Sequence, residues 1–130
     1  HTDMITERIE DGQSPGDAMA LSLLAYGYER DELDTPRIAG AVRGNRAWLG
    51  IARKDELRVQ QFRLDEDQAL MVATYEKTDF EDVSMSAWDV AGIARKAYDL
   101  SFERPVCAAA ALACSAEPNG GFILAAYNPD

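Results

Sequence analysis

An α+β fold is predicted for this chain, on three observations. One segment carries a complete helix start followed by apolar residues at helical spacing. The next alternates apolar with polar or small residues across tight-turn signals, the period of an antiparallel sheet. The C-terminal third repeats that order, with a helical stripe and then a hairpin. The 130 residues suit one domain with one hydrophobic core. His1-Thr2-Asp3 precedes Met4 and reads as a remnant ahead of a native start, leaving 4–130 as a single α+β domain. The expected order is an N-terminal amphipathic helix, an antiparallel β-meander, one or two helices and a C-terminal β-hairpin.

Met4 to Gln13 is polar, with one turn signal at Asp11-Gly12. Ser14-Pro15-Gly16-Asp17 then starts a helix. Ser14 can cap, Pro15 suits the first helical position, and Asp17 stands where a capping box reaches back. Leu21, Leu24, Ala25 and Tyr28 follow at helical spacing, with Met19, Leu23 and Tyr26 beside them. Gly27 is placed to end the helix. Glu29 to Asp34 is a charged connector.

From Pro36 onward a three-stranded meander is expected. Ile38, Gly40 and Val42 alternate, Gly44-Asn45 gives a two-residue turn, and Ala47, Leu49 and Ile51 alternate on the return. Lys54-Asp55-Glu56 turns again, and Leu57 to Leu64 forms the third strand. A helix here would be weakened by about 1 kcal/mol at each of Gly40, Gly44 and Gly50.

Asp65 with Gln68 forms a capping-box pattern. Leu70 to Lys77 reads as a short helix or a fourth strand, and the cap favours the helix. Thr78 to Val83 is an acidic loop. Ser86 with Asp89 caps the next helix, whose stripe is Val90, Ile93, Ala97 and Leu100, with Trp88 closing its first turn. Val106 to Ala116 is alanine-rich and fits strand or helix. Glu117 to Gly121 is a turn and Phe122 to Tyr127 a final strand, so the hairpin reading pairs Val106 to Cys114 with it.

Function is less legible. Beyond His1 the chain contains no histidine, which removes the usual neutral-pH base and the commonest metal ligand. Ser-His-Asp and Cys-His machinery is excluded. Cys107 and Cys114, seven apart with no turn residue between them, read as free buried thiols in a reducing compartment. No signal peptide and no apolar run of about 18 residues is visible, so a cytoplasmic protein is expected. The carboxylate clusters at 29–34, 65–67 and 79–82 match no EF-hand loop and read as solvated turns. No glycine cluster resembles a phosphate-cradling loop, so nucleotide binding is not expected. No catalytic residue, metal or cofactor is assigned.

Charge is the stronger signal. The chain carries 23 acidic and 13 basic residues, a net charge of −10. That disfavours nucleic acid and an anionic membrane as partners. Residues 37–63 nevertheless hold seven arginine or lysine residues against two acidic ones. Arginine and tryptophan are enriched at interaction hot spots. Arg43, Arg46, Trp48, Arg53, Arg58 and Arg63 are therefore the candidate partner-binding residues. The bland alternative is that these arginines pair with acidic residues of their own domain. A homodimer joining acidic to basic faces is a further reading.

In size, acidity and helix–meander–helix–hairpin order the chain resembles bacterial type III secretion chaperones, although no motif is shared and a clear final helix is lacking. The likeness implies a protein partner. The expected function is a non-enzymatic acidic module that sequesters or inhibits a protein, of chaperone, immunity or phage-inhibitor type. The alternative is a small-molecule-binding or histidine-independent enzymatic domain, with Tyr26, Tyr28, Trp48 and Tyr75 lining a pocket between helix and sheet.

Overall fold

The computed structural model describes residues 1–65, 68–74, 80–84, 89–100, 108–115, 117 and 119–129. Its elements run α1 (Thr2–Glu10), α2 (Pro15–Tyr26), β1 (Arg37–Arg43), β2 (Arg46–Ala52), β3 (Leu57–Arg63), β4 (Gln68–Met71), β5 (Glu81–Ser84), α3 (Val90–Leu100), β6 (Ala108–Ala113) and β7 (Phe122–Tyr127). Helices and antiparallel sheets place it in the α+β class, as expected. The sheets are β1-β2-β3, β4-β5 and β6-β7. Contacts divide the chain into two compact units. The first holds residues 1–41, 47–62 and 72–81; the second holds 42–46, 63–71 and 82–130. No helix among the described residues is long and apolar enough to cross a membrane.

In the first unit α1 and α2 pack together, and α2 lies on β2. Ser14 caps α2 by accepting from the Asp17 amide at 3.2 Å, with Pro15 in the first turn. Gly27 ends the helix with φ +66, a conformation glycine adopts without a Cβ penalty. The core joins Ile5, Ala18, Met19, Leu23, Trp48 and Ala52, with Ile9, Ala39, Ala41 and Val59 against it. Burying side chains such as Met19 and Leu23 contributes about 1.5–3 kcal/mol each before entropy is counted.

Within the first unit the closest approach at a glycine is at Gly50. A Cβ there would lie 2.7 Å from both Leu23 Cδ1 and Met19 Sδ. Its missing side chain is what lets α2 settle onto the strand. Trp48 and Ala52 flank it on the same face, and the Trp48 ring lies against Gly16 in the first turn of α2.

Four expectations for local structure change. Residues 2–10 form a helix, although only Met4, Ile5 and Ile9 give it an apolar side, too few to register as a period. On α2 the buried stripe is Pro15, Ala18, Met19, Ser22 and Leu23, while Leu21 and Leu24 are exposed. That helix is apolar nearly all round, and the small side chains of Ala18 and Ser22 choose the contact face. At Asp65 and Gln68 the reach-back bond of a capping box forms, with Gln68 Oε1 accepting from the Asp65 amide at 2.9 Å, but the Gln68 amide donates to the Asp65 carbonyl and the chain continues as strand β4. Strand β5 occupies Glu81–Ser84, overlapping the expected acidic loop of Thr78 to Val83.

The meander matches expectation. Gly44 takes φ +58 at the first turn position, where a side chain would be strained. The Leu64 amide donates to Asn45 at 2.7 Å and ties the end of β3 to that turn.

In the second unit α3 packs on β6 and β7, burying Val90 and Ala94 on the expected side. Asp89 caps it, accepting from the Gly92 amide at 2.6 Å. Ser86, Trp88, Tyr75 and Cys107 lie outside the described residues. The C-terminal hairpin forms with Ala108 opposite Tyr127 and Ala113 opposite Phe122. Cys114 is free, but it is exposed rather than buried because it follows the last residue of β6.

Two substitutions test this packing by chemical denaturation. Gly50→Ala is expected to destabilise by about 1–3 kcal/mol, as overpacking does in a closed core. Ser22 is fully buried and its hydroxyl has no hydrogen-bond partner among the described residues. Ser22→Ala is therefore expected to hold or raise stability, by up to about 1 kcal/mol. A neutral Gly50→Ala would show that α2 does not rest on Gly50.

Candidate functional site

The functional side chains of the first unit gather at one end of the meander. There the loop after α2 enters β1, and the turn after β2 enters β3. The loop is built by Asp31. Its Oδ1 accepts from the Leu33 and Thr35 amides at 3.1 and 2.9 Å, and its Oδ2 accepts from the Thr35 hydroxyl at 2.5 Å. These bonds favour the ionised form and hold the Asp31 carboxyl below its ordinary range, the Thr35 hydroxyl acting most strongly. The Glu29 amide donates to Thr35 at 2.8 Å and closes the loop. Asp34 sits at its shoulder with φ +48, a left-handed conformation that aspartate tolerates better than most residues.

Cations from strand and turn meet this loop. Arg37 pairs with Glu29 at 2.8 Å and lies 5.4 Å from the centre of the Tyr26 ring. Arg30 lies 5.1 Å from the centre of the Tyr28 ring. Lys54, on the β2–β3 turn, donates to Asp34 Oδ2 at 3.2 Å. That hydrogen bond and the Asp34 charge raise the Lys54 ammonium above its ordinary range, and Tyr28 adds to the effect. Beside it, Arg58 grips Glu56 Oε1 through Nε and Nη2 at 3.0 and 2.7 Å, and Arg53 stands 3.5 Å from Oε2. Arg58, with Arg53 secondarily, holds the Glu56 carboxyl below its usual value. The Arg58 guanidinium also lies 5.6 Å from the Phe80 ring, which meets Phe62 edge to face.

His1 reaches the same corner. Its Nε2 lies 3.1 Å from the Ile38 carbonyl, and its ring meets Tyr26 edge to face at 6.2 Å. The arrangement offers aromatic faces, fixed cations, and an imidazole, phenols and carboxylates able to move protons.

The six sequence candidates do not form one cluster. Arg53 and Arg58 come together around Glu56. Arg43 and Arg46 flank the β1–β2 turn, and Arg63 ends β3. A whole strand separates Arg46 from Arg53. Trp48 is a core residue, 6% exposed, so its place among the arginines reflects strand alternation rather than a contact surface. Tyr26 and Tyr28, expected to line a pocket, lie at the corner. Missed were Lys54 and Glu56 on the turn, and Glu29, Arg30, Asp31, Asp34 and Arg37 along the loop into β1. The signal for the loop was Asp31-x-x-x-Thr35 ahead of Pro36, an Asx-type turn within what read as a charged connector.

A family model described as "IMP cyclohydrolase-like protein" matches residues 1–117. Three proteins named IMP cyclohydrolase are among the similar ones. That of Methanothrix thermoacetophila is 60% identical over 129 residues, 99% of this chain and 63% of its own length. That of Methanocella arvoryzae is 51% identical over 128 residues, 98% of this chain and 62% of its own. That of Thermococcus kodakarensis is 37% identical over 110 residues, 83% of this chain and 55% of its own. The chain thus spans less than two thirds of the relatives it matches. These relatives are archaeal and carry an enzyme's name. They overturn the expectation of a non-enzymatic sequestering or inhibitory module, and with it the chaperone-like, bacterial or phage character.

The charge pairs set a pH profile, read by thermal unfolding. Asp31 and Glu56 are depressed carboxyls, so their contribution is present at neutral pH and is lost as pH falls through their folded-state values. Lys54 is raised, so its contribution holds below the ordinary lysine range and is lost as pH rises through its folded-state value. Glu56→Gln is expected to flatten the acid limb and Lys54→Met the alkaline limb. Unchanged limbs would remove these pairs from the account.

Proposed function

Because the chain belongs to the IMP cyclohydrolase-like family, we propose that it supplies the nucleotide-binding corner of an enzyme acting on inosine 5′-monophosphate. The observation that carries this reading is 60% identity, over 99% of the chain, to a protein named IMP cyclohydrolase. The geometry supports it. A purine nucleotide combines a flat ring with a phosphate, and the end of the meander pairs tyrosine faces with cations.

Cyclohydrolysis opens the six-membered ring with water, breaking a bond to the carbon between its two nitrogens. The reverse closes the ring and releases water. Neither direction needs electrons. Ring opening takes both protons from the attacking water and delivers one to each ring nitrogen; ring closure takes one from each of those nitrogens and delivers both to the departing oxygen. His1, which the family match includes, Tyr28 and Glu29 stand within this corner as proton carriers, and Arg37 holds Glu29 in place at 2.8 Å. Tyr26 and Tyr28 offer faces for the purine. Arg30, Arg37 and Lys54 offer charge for the anion and for oxygen charge that develops during the reaction. The overall charge does not oppose this. At physiological salt, charges beyond about 8 Å are largely screened, and the cations here act at contact distance.

Amide chemical shifts of the isotope-labelled chain test the reading. Added IMP is expected to perturb residues 27–37 and 53–58 first, with Tyr28→Phe and Arg37→Ala weakening binding by about tenfold each. Perturbations confined to α3 and β7, or none, would contradict it.

A further inference from the structure

We propose that Lys54 is the phosphate-binding residue of this corner, and that a phosphate monoester replaces the Asp34 carboxylate on its ammonium. The assignment rests on the nucleotide reading above and gives that site a polarity, with phosphate at the β2–β3 turn and base at the start of β1.

The cations of the corner differ in what they can accept. Arg37 is mostly covered, 22% exposed, with Glu29 on one nitrogen and the Tyr26 ring beside its plane. A flat, covered guanidinium of this kind suits contact with a flat base. Lys54 is 62% exposed and tops a two-residue turn closed by the Arg53 amide on Glu56 at 2.7 Å. It presents a compact, hydrated point charge that approaching phosphate can reach. Arg30, on the loop that carries Asp34, stands 5.1 Å from the centre of the Tyr28 ring. The Lys54 ammonium lies 3.2 Å from the Asp34 carboxylate. The carboxylate marks a position where negative charge is already accepted.

Exchange at that position costs little. The Lys54–Asp34 pair is exposed on both sides, and such pairs contribute little to stability. A phosphate monoester carries nearly two charges and three acceptor oxygens against the single charge of a carboxylate. The turn also survives the exchange. Asp31, not Asp34, holds the Leu33 and Thr35 amides, so the backbone stays in place when the Asp34 side chain swings away.

A tether would give the same ion pair, and the two roles separate in a calorimetric titration with IMP, inosine and inorganic phosphate. Phosphate recognition predicts that Lys54→Met weakens IMP by about tenfold while inosine changes by less than about twofold. Asp34→Asn removes the competing charge, so IMP and inorganic phosphate are expected to bind about two- to threefold tighter. Both positions are exposed, so both variants should unfold near the parent's temperature; Lys54→Gln repeats the test with a polar side chain. If the ratio of IMP to inosine affinity is the same in parent and Lys54→Met, or if Asp34→Asn weakens IMP as Lys54→Met does, the phosphate assignment falls and the pair is a tether. If the parent binds neither IMP nor inosine, the nucleotide reading itself falls.

Discussion

The first unit depends on the contact of α2 with β2 at a residue that has no side chain. Gly50 leaves room for Met19 and Leu23, both fully buried, and a Cβ in its place would stand 2.7 Å from each. Trp48 and Ala52 continue the contact on either side, and the Trp48 ring reaches Gly16 at the start of the helix. Once the helix is seated in this way, its last turn and Gly27 have a defined position at the end of the sheet. The loop that follows then lies beside the β2–β3 turn. Packing far from any reacting group thus decides which charged residues meet.

What meets there is a set of short-range pairs in a protein that is acidic as a whole. Glu29 with Arg37, Asp34 with Lys54, and Glu56 with Arg53 and Arg58 each join a carboxylate to a cation. These pairs are half-exposed or exposed, and their worth to folding is small. Their effect is positional. They hold long side chains in fixed directions around tyrosine rings, and they cap or close the loop that carries them. Supporting bonds of this kind are what bring a site within the tolerance that chemistry needs.

The sequence was readable wherever local chemistry and tertiary packing agree. Ser14 before Pro15, and Gly44-Asn45 between alternating runs, each specify their element without help. The meander, α3 and the C-terminal hairpin follow from such signals. It was unreadable where packing decides. α1 shows too little periodicity to be seen, and α2 is so uniformly apolar that its buried face follows from the smallness of Ala18, Ser22 and Gly50. At Asp65 and Gln68 the capping bond is real, yet β-pairing takes the chain into β4, so a local motif was overruled. Trp48 looked like a surface anchor because it stands among arginines, but alternation along β2 points it into the core. The site was hidden for a different reason. Its parts lie on a loop and a turn twenty residues apart, as Asp34 and Lys54 are, and no short motif spans them. Searching for a glycine-rich phosphate loop looked for one architecture among several. The absence of histidine after His1 set aside the one imidazole that the structure brings to Tyr26.

Family membership motivates the proposal for this corner, and the physical claim beneath it is that helix-on-sheet packing positions the residues proposed to bind the ligand. The most direct measurement is the IMP affinity of Gly50→Ala at a temperature where circular dichroism shows it folded. Residue 50 lies in the core and belongs to none of the charge pairs. The account predicts weaker binding, about threefold or more, because the lifted helix moves Tyr26, Tyr28 and Arg37 relative to Lys54. An affinity equal to that of the parent in a folded, destabilised Gly50→Ala would contradict it.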